Sequence, residues 1–121
     1  MKTILFIDES ESYRFLLGEG LSEEGYKVLT ADSNEEALSK FRGTKPSLII
    51  LEFKQKNAGE ESFKKLKEQY PNILWIGYST FIRCPDEFRK WIDFYLPKSG
   101  DIDELKALIR CIRTAGLMKS G

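Results

Sequence analysis

With 121 residues, 41% hydrophobic and 31% charged, the chain is sized and composed for one soluble domain with its own core. Nineteen Lys and Arg against nineteen Asp and Glu leave no basic surplus for sequence-independent nucleic-acid binding, and the lack of histidine removes the usual general base and the commonest metal ligand. Any metal must then be a hard ion held by oxygens; Cys84 and Cys111 have no metal-ligand spacing and suit a reducing cytoplasm, and no apolar run reaches signal-peptide length or the roughly 18 residues of a membrane span.

Short apolar runs alternate with amphipathic stretches. Residues 3–7 read as a buried strand that ends in Asp8 and Glu9. Residues 10–24 read as a helix with Phe15, Leu16, Leu17 and Leu21 as its apolar members. Gly18 and Gly20 weaken it by about 1 kcal/mol each relative to alanine, which is tolerable where a close approach is needed. Gly25 turns the chain into a second strand, residues 26–31, and Ser33 caps a helix to Phe41 with Glu36 in the capping-box position. The third strand is Leu48, Ile49, Ile50 and Leu51, and it ends abruptly in Glu52. A polar loop, "KQKNAGEE", leads to a helix over 60–70 that stops at Pro71. Residues 73–77 form the fourth strand. Pro85 opens a short fourth helix with Phe88, Trp91 and Ile92 on one face, and 94–96 form the fifth strand. Asp101 or Asp103 caps a last helix carrying Ile102, Leu105, Ile109 and Ile112. The domain is expected over 1–115, with a frayed tail at 116–121.

Five strands alternating with five helices imply an α/β fold: a doubly wound five-stranded parallel sheet, (βα)5, flavodoxin-like, in strand order 2-1-3-4-5. That order brings the carboxyl ends of the first and third strands together, and with them Asp8, Glu9 and Glu52. Three such acids repel unless a cation sits among them, and oxygen ligands suit magnesium. Lys98, after the fifth strand, lies on the same edge. Carboxylates, a hard cation and a lysine together fit phosphoryl transfer, because metal and lysine neutralise charge on the moving group. The alternative is that the acids are solvated turn residues and Lys98 a surface lysine paired with one of them.

From end to end the chain resembles a response-regulator receiver domain of two-component signalling. "ILFIDES" resembles that family's first strand and acidic pair; "NEEALSKFRGTKPSLIIL" resembles its second helix and third strand; "DFYLPKS" matches the fifth strand and its lysine, Lys98; and "DIDELKALIRCI" is similar to the final helix. The resemblance implies a non-enzymatic cytoplasmic module with no membrane or nucleic-acid contact of its own. Its partner would be a signalling protein, a histidine kinase or an effector, and the family also admits a homodimer through helix 4, strand 5 and helix 5. On that face stand Phe88, Trp91, Tyr95, Leu108 and Cys111; the alternative is that Phe88 and Trp91, spaced with Ile92 as a core stripe, face inward and that Tyr95 is a static, half-buried aromatic.

Where this chain departs from the family matters most. Glu52 stands where the family has the aspartate that accepts the phosphoryl group, so this is an atypical receiver. Ile76 falls at the family's switch hydroxyl, or Gly77 on a one-residue slip, while Ser79 and Thr80 could substitute only by a loop shift. Tyr95 matches the switch aromatic. Ser99 replaces a proline whose preceding bond is usually cis; before serine that bond would cost about 3 kcal/mol, so trans is expected. The extra methylene of glutamate, roughly 1.5 Å, exceeds the error of about 0.5 to 1 Å that catalytic geometry tolerates. The expectation is therefore a receiver that works without phosphorylation at Glu52 and holds magnesium only weakly, with affinity in the millimolar range. The alternatives are a receiver phosphorylated on Glu52 with magnesium and, more remotely, a flavodoxin-like cofactor-binding protein.

Overall fold

The computed structural model describes residues 2–55 and 58–118. Alternation along each strand sets up two cores, one per face of a single sheet. On β1 (Thr3–Ile7), Ile4 and Phe6 face one way and Leu5 and Ile7 the other, and all four are fully buried. The remaining strands are β2 (Lys27–Ala31), β3 (Leu48–Leu51), β4 (Leu74–Ser79) and β5 (Phe94–Pro97). Every pairing is parallel and the order is β2-β1-β3-β4-β5, the expected topology.

The first core lies under α1 (Glu11–Glu23) and α4 (Asp103–Thr114), and the second under α2 (Asn34–Lys40) and α3 (Glu60–Gln69). Local chemistry sets the helix ends. Ser10 accepts from the Tyr13 amide at 3.3 Å. Ser33 accepts from the Glu36 amide at 3.1 Å, and Glu36 returns a bond to the Asp32 amide at 2.9 Å. At α4 neither Asp101 nor Asp103 is the N-cap, which is Ile102 and makes no side-chain cap bond; the Asp101 carboxylate, one residue earlier, accepts from the Asp103 amide at 3.0 Å. Gly25 takes φ 94° to end the α1 turn. Gly20 is the small residue that α1 needs: a Cβ there would run into the Ile102 side chain, so it sets the α1–α4 approach, whereas Gly18 faces open space.

Four expectations are corrected. Phe15 and Leu16 are exposed, Phe15 at 70%, so only Leu17 and Leu21 of the four apolar members of α1 reach the core. There are four α-helices among the described residues. The fourth of the expected five is a single 3-10 turn (Asp86–Phe88), because Asp86, Glu87, Arg89 and Lys90 leave too little apolar stripe and the chain is pulled back early: the Asp93 carboxylate accepts from the Trp75 amide at 2.9 Å. The strand read over 73–77 runs instead to Ser79, since Tyr78 and Ser79 still pair with Leu96 and Pro97. Residues 116–118 do not fray: the Leu117 amide bonds the Ile112 carbonyl at 3.1 Å and Met118 is buried in the first core. Lys119, Ser120 and Gly121 of the expected tail, and Lys56 and Asn57 of the polar loop, lie outside the described residues.

Candidate functional site

The carboxyl ends of β1, β3, β4 and β5 meet in one buried polar cluster. Backbone bonds fix its members: the Asp8 amide on the Ala31 carbonyl at 3.0 Å, the Glu52 amide on the Ile7 carbonyl at 2.9 Å, and the Lys98 amide on the Ser79 carbonyl at 2.7 Å. From these anchors the side chains converge. Lys98 Nζ donates to Asp8 Oδ2 at 2.6 Å and to Glu52 Oε1 at 2.9 Å. The three side chains are 5%, 2% and 5% exposed, so this is a buried ion cluster and not a surface pair. Above the ammonium lie the Tyr13 ring, 4.2 Å to its centroid, and the Tyr78 ring at 6.0 Å. Burial alone would lower the Lys98 pKa; hydrogen bonds and charge from Asp8 and Glu52 outweigh it and leave the pKa raised.

The other carboxylate oxygens are also taken. Asp8 Oδ1 accepts from the Ser10 amide at 2.8 Å. Glu52 Oε2 accepts from the Lys54 amide at 3.0 Å and from the Ser79 hydroxyl in a short bond. The hydroxyl at this site therefore belongs to Ser79. Ile76, the expected switch position, is fully buried in the first core and paired with Ile50, three residues short of the strand end. Gly77 cannot serve either, since a Cβ there would meet the Phe53 ring. Ser79 reaches Glu52 as the last paired residue of β4, with no shift of the following loop.

Glu9 does not join the buried pair. Its side chain is exposed, and its carbonyl, with that of Asp8, accepts from Arg14. It borders a polar groove of about 870 Å3 lined also by Arg14, Asn34, Ser62 and Lys65, to which Asp8, Glu52 and Lys98 do not contribute. The arrangement does not fit a metal: each oxygen of Asp8 and Glu52 already has a donor, and among the described residues no three His, Cys, Asp or Glu side chains assemble as a ligand set.

Tyr95 is tied to the same strand end. Its hydroxyl donates to the Phe81 carbonyl in a short bond and lies 3.3 Å from the Ser79 carbonyl, while its ring stacks on Phe53. Burial pushes its pKa up to about 12. The expected partner face is divided. Phe88 stacks on Phe53 with centroids 4.2 Å apart, and Trp91 and Tyr95 pack on the same core, whereas Leu108 packs on the opposite one. Only Cys111 of the five is exposed. Among the described residues, the large apolar side chains that are exposed are Phe15, Leu16, Ile82 and Leu117. Among the described residues every peptide bond is trans, the one before Ser99 included.

No protein-family model matches the chain. It is 44% identical over 118 residues to the alkaline phosphatase synthesis transcriptional regulatory protein PhoP of Bacillus subtilis, covering 92% of this chain and 48% of that protein. It is 31% identical to the transcriptional regulatory protein CpxR of Klebsiella pneumoniae, over 93% of this chain and 49% of that protein. The chain thus spans about half the length of these relatives. The response regulator protein TrrA of Thermotoga maritima, solved in complex with Mg2+-BeF, superposes with a TM-score of 0.76 at 31% identity, over 93% of this chain and 99% of that one. TrrA in complex with the histidine kinase ThkA gives a TM-score of 0.78 at 32% identity, over 93% and 98% of the two chains.

Proposed function

Because the chain belongs to the response-regulator receiver family of two-component phosphorelay signalling, we propose that it is an atypical receiver that acts by protein–protein contact without phosphorylation at Glu52. One observation carries this reading: the Glu52 carboxylate bridges Lys98 and Ser79 and has no oxygen without a donor. In that position it supplies negative charge to the lysine and the hydroxyl together, as a phosphoryl group on a shorter side chain would. Attack on a phosphodonor would require Glu52 to give up bonds in a buried site, at a cost of about 1.5–3 kcal/mol for each charged hydrogen bond. The module is not an enzyme on this reading, and it works in the cytoplasm. The complex of the similar TrrA with a histidine kinase supports a histidine kinase as its partner.

Intact mass after incubation with acetyl phosphate and magnesium tests the reading. The expected mass is unchanged. A stoichiometric, base-labile gain of one phosphoryl group would overturn it in favour of a receiver phosphorylated on Glu52.

A further inference from the structure

We propose that the Lys98 ammonium is the resident cation of this cleft, held between Asp8 and Glu52 so that a divalent ion is excluded from it. The inference concerns the site discussed above and rests on the receiver reading for its meaning, but its geometry stands alone.

Two carboxylates this deeply buried need a counter-charge, and Lys98 provides it from 2.6 and 2.9 Å. Magnesium would have to sit about 2.0–2.1 Å from the same oxygens, against a like charge that is already in place. Magnesium also dehydrates reluctantly and keeps several waters. Here the Tyr13 and Tyr78 rings lie beside the ammonium, where such waters would need room. Glu52 Oε2 already accepts two bonds, from Ser79 and the Lys54 amide, which fills its lone pairs. Glu9, the remaining acid of the pair after β1, is exposed and lies outside the buried cluster. Lys98 cannot leave easily, because its backbone amide is bonded to the Ser79 carbonyl and its ammonium is held by both buried carboxylates. Removing the ammonium should therefore do two things at once: leave the carboxylates uncompensated, and open the place between them to a divalent ion.

The test compares wild type with Lys98→Met, using thermal melts with and without millimolar magnesium and manganese binding followed by water-proton relaxation. Wild type is expected to melt at the same temperature with and without magnesium and to leave manganese free in solution. Lys98→Met is expected to melt lower, to bind manganese, and to recover much of its melting temperature when magnesium is added. Manganese bound by wild type, or a magnesium-dependent rise in its melting temperature, would overturn the inference. So would a folded Lys98→Met that neither binds manganese nor gains stability from magnesium. If Lys98→Met does not fold without metal, its refolding on adding magnesium supports the inference, and failure to refold leaves the wild-type relaxation measurement to decide. Metal binding by wild type with no acetyl-phosphate labelling would overturn this inference alone; labelling would overturn the function proposed above.

Discussion

The ends of β1, β3 and β5 differ from the end of β4 in how their chemistry is placed. At the first three, the polar residue follows directly on a short apolar run: Asp8 after Ile7, Glu52 after Leu51, Lys98 after Pro97. Their side chains then reach a common point over the sheet edge. At β4 the apolar run ends earlier than the strand does. Tyr78 and Ser79 continue the ladder with β5, and the hydroxyl arrives at Glu52 from the last paired residue. Apolar runs locate a strand end only where the strand stops at its first polar residue; a buried serine can continue the strand when its hydroxyl has a partner, as Ser79 has in Glu52.

The largest test of that comparison is on the β5 side. Lys98→Met should destabilise the fold by about 3–5 kcal/mol, the usual cost of removing one partner from a buried ion pair. The effect should depend on pH with a definite sign. The folded-state pKa of Lys98 is raised above its ordinary 10.5, so its contribution is complete below that pH and is lost as pH rises through the higher folded value. The stability gap between wild type and Lys98→Met, measured by denaturant melts, should be constant near neutrality and close in strongly alkaline solution.

On the β4 side, Ser79→Ala should cost about 1.5–3 kcal/mol, because a hydrogen bond to a buried carboxylate is lost. Ile76→Thr separates the two placements of the hydroxyl. It should cost about 1–3 kcal/mol by burying an unpartnered hydroxyl in the first core, and it should leave the surroundings of Glu52 unchanged by NMR. A perturbed Glu52 resonance in Ile76→Thr but not in Ser79→Ala would restore Ile76 as the switch position. The smallest expected effect is at Tyr95. Tyr95→Phe should cost about 0.5–1.5 kcal/mol. It should also remove one of the two phenols, Tyr78 and Tyr95, whose pKa lies at about 12, which alkaline difference spectroscopy would count directly.

These contrasts also mark what the sequence could carry. Strand order and the meeting of Asp8, Glu52 and Lys98 were legible because alternating apolar runs fix a doubly wound sheet, and the sheet fixes which loops share an edge. Ser79 was not, since a polar residue after "WIGY" reads as the start of a loop until its ladder partner on β5 is known. The missing fourth helix was not, because Phe88, Trp91 and Ile92 have helical spacing but are held individually, Phe88 by its stack on Phe53. Nor was the outward turn of Phe15 and Leu16: a helix of mixed character does not declare which of its adjacent apolar residues face the sheet.

The central claim is that Glu52 is held by Lys98 and Ser79 in place of a metal and a phosphoryl group. NMR of the Lys98 ammonium reads this most directly, through its 15N resonance and hydrogen exchange in wild type before and after adding magnesium and acetyl phosphate. One slowly exchanging, fully protonated ammonium is expected, coupled to the Asp8 and Glu52 carboxylates and unmoved by either addition. A rapidly exchanging ammonium, or one that shifts when magnesium or the phosphodonor is added, would contradict it.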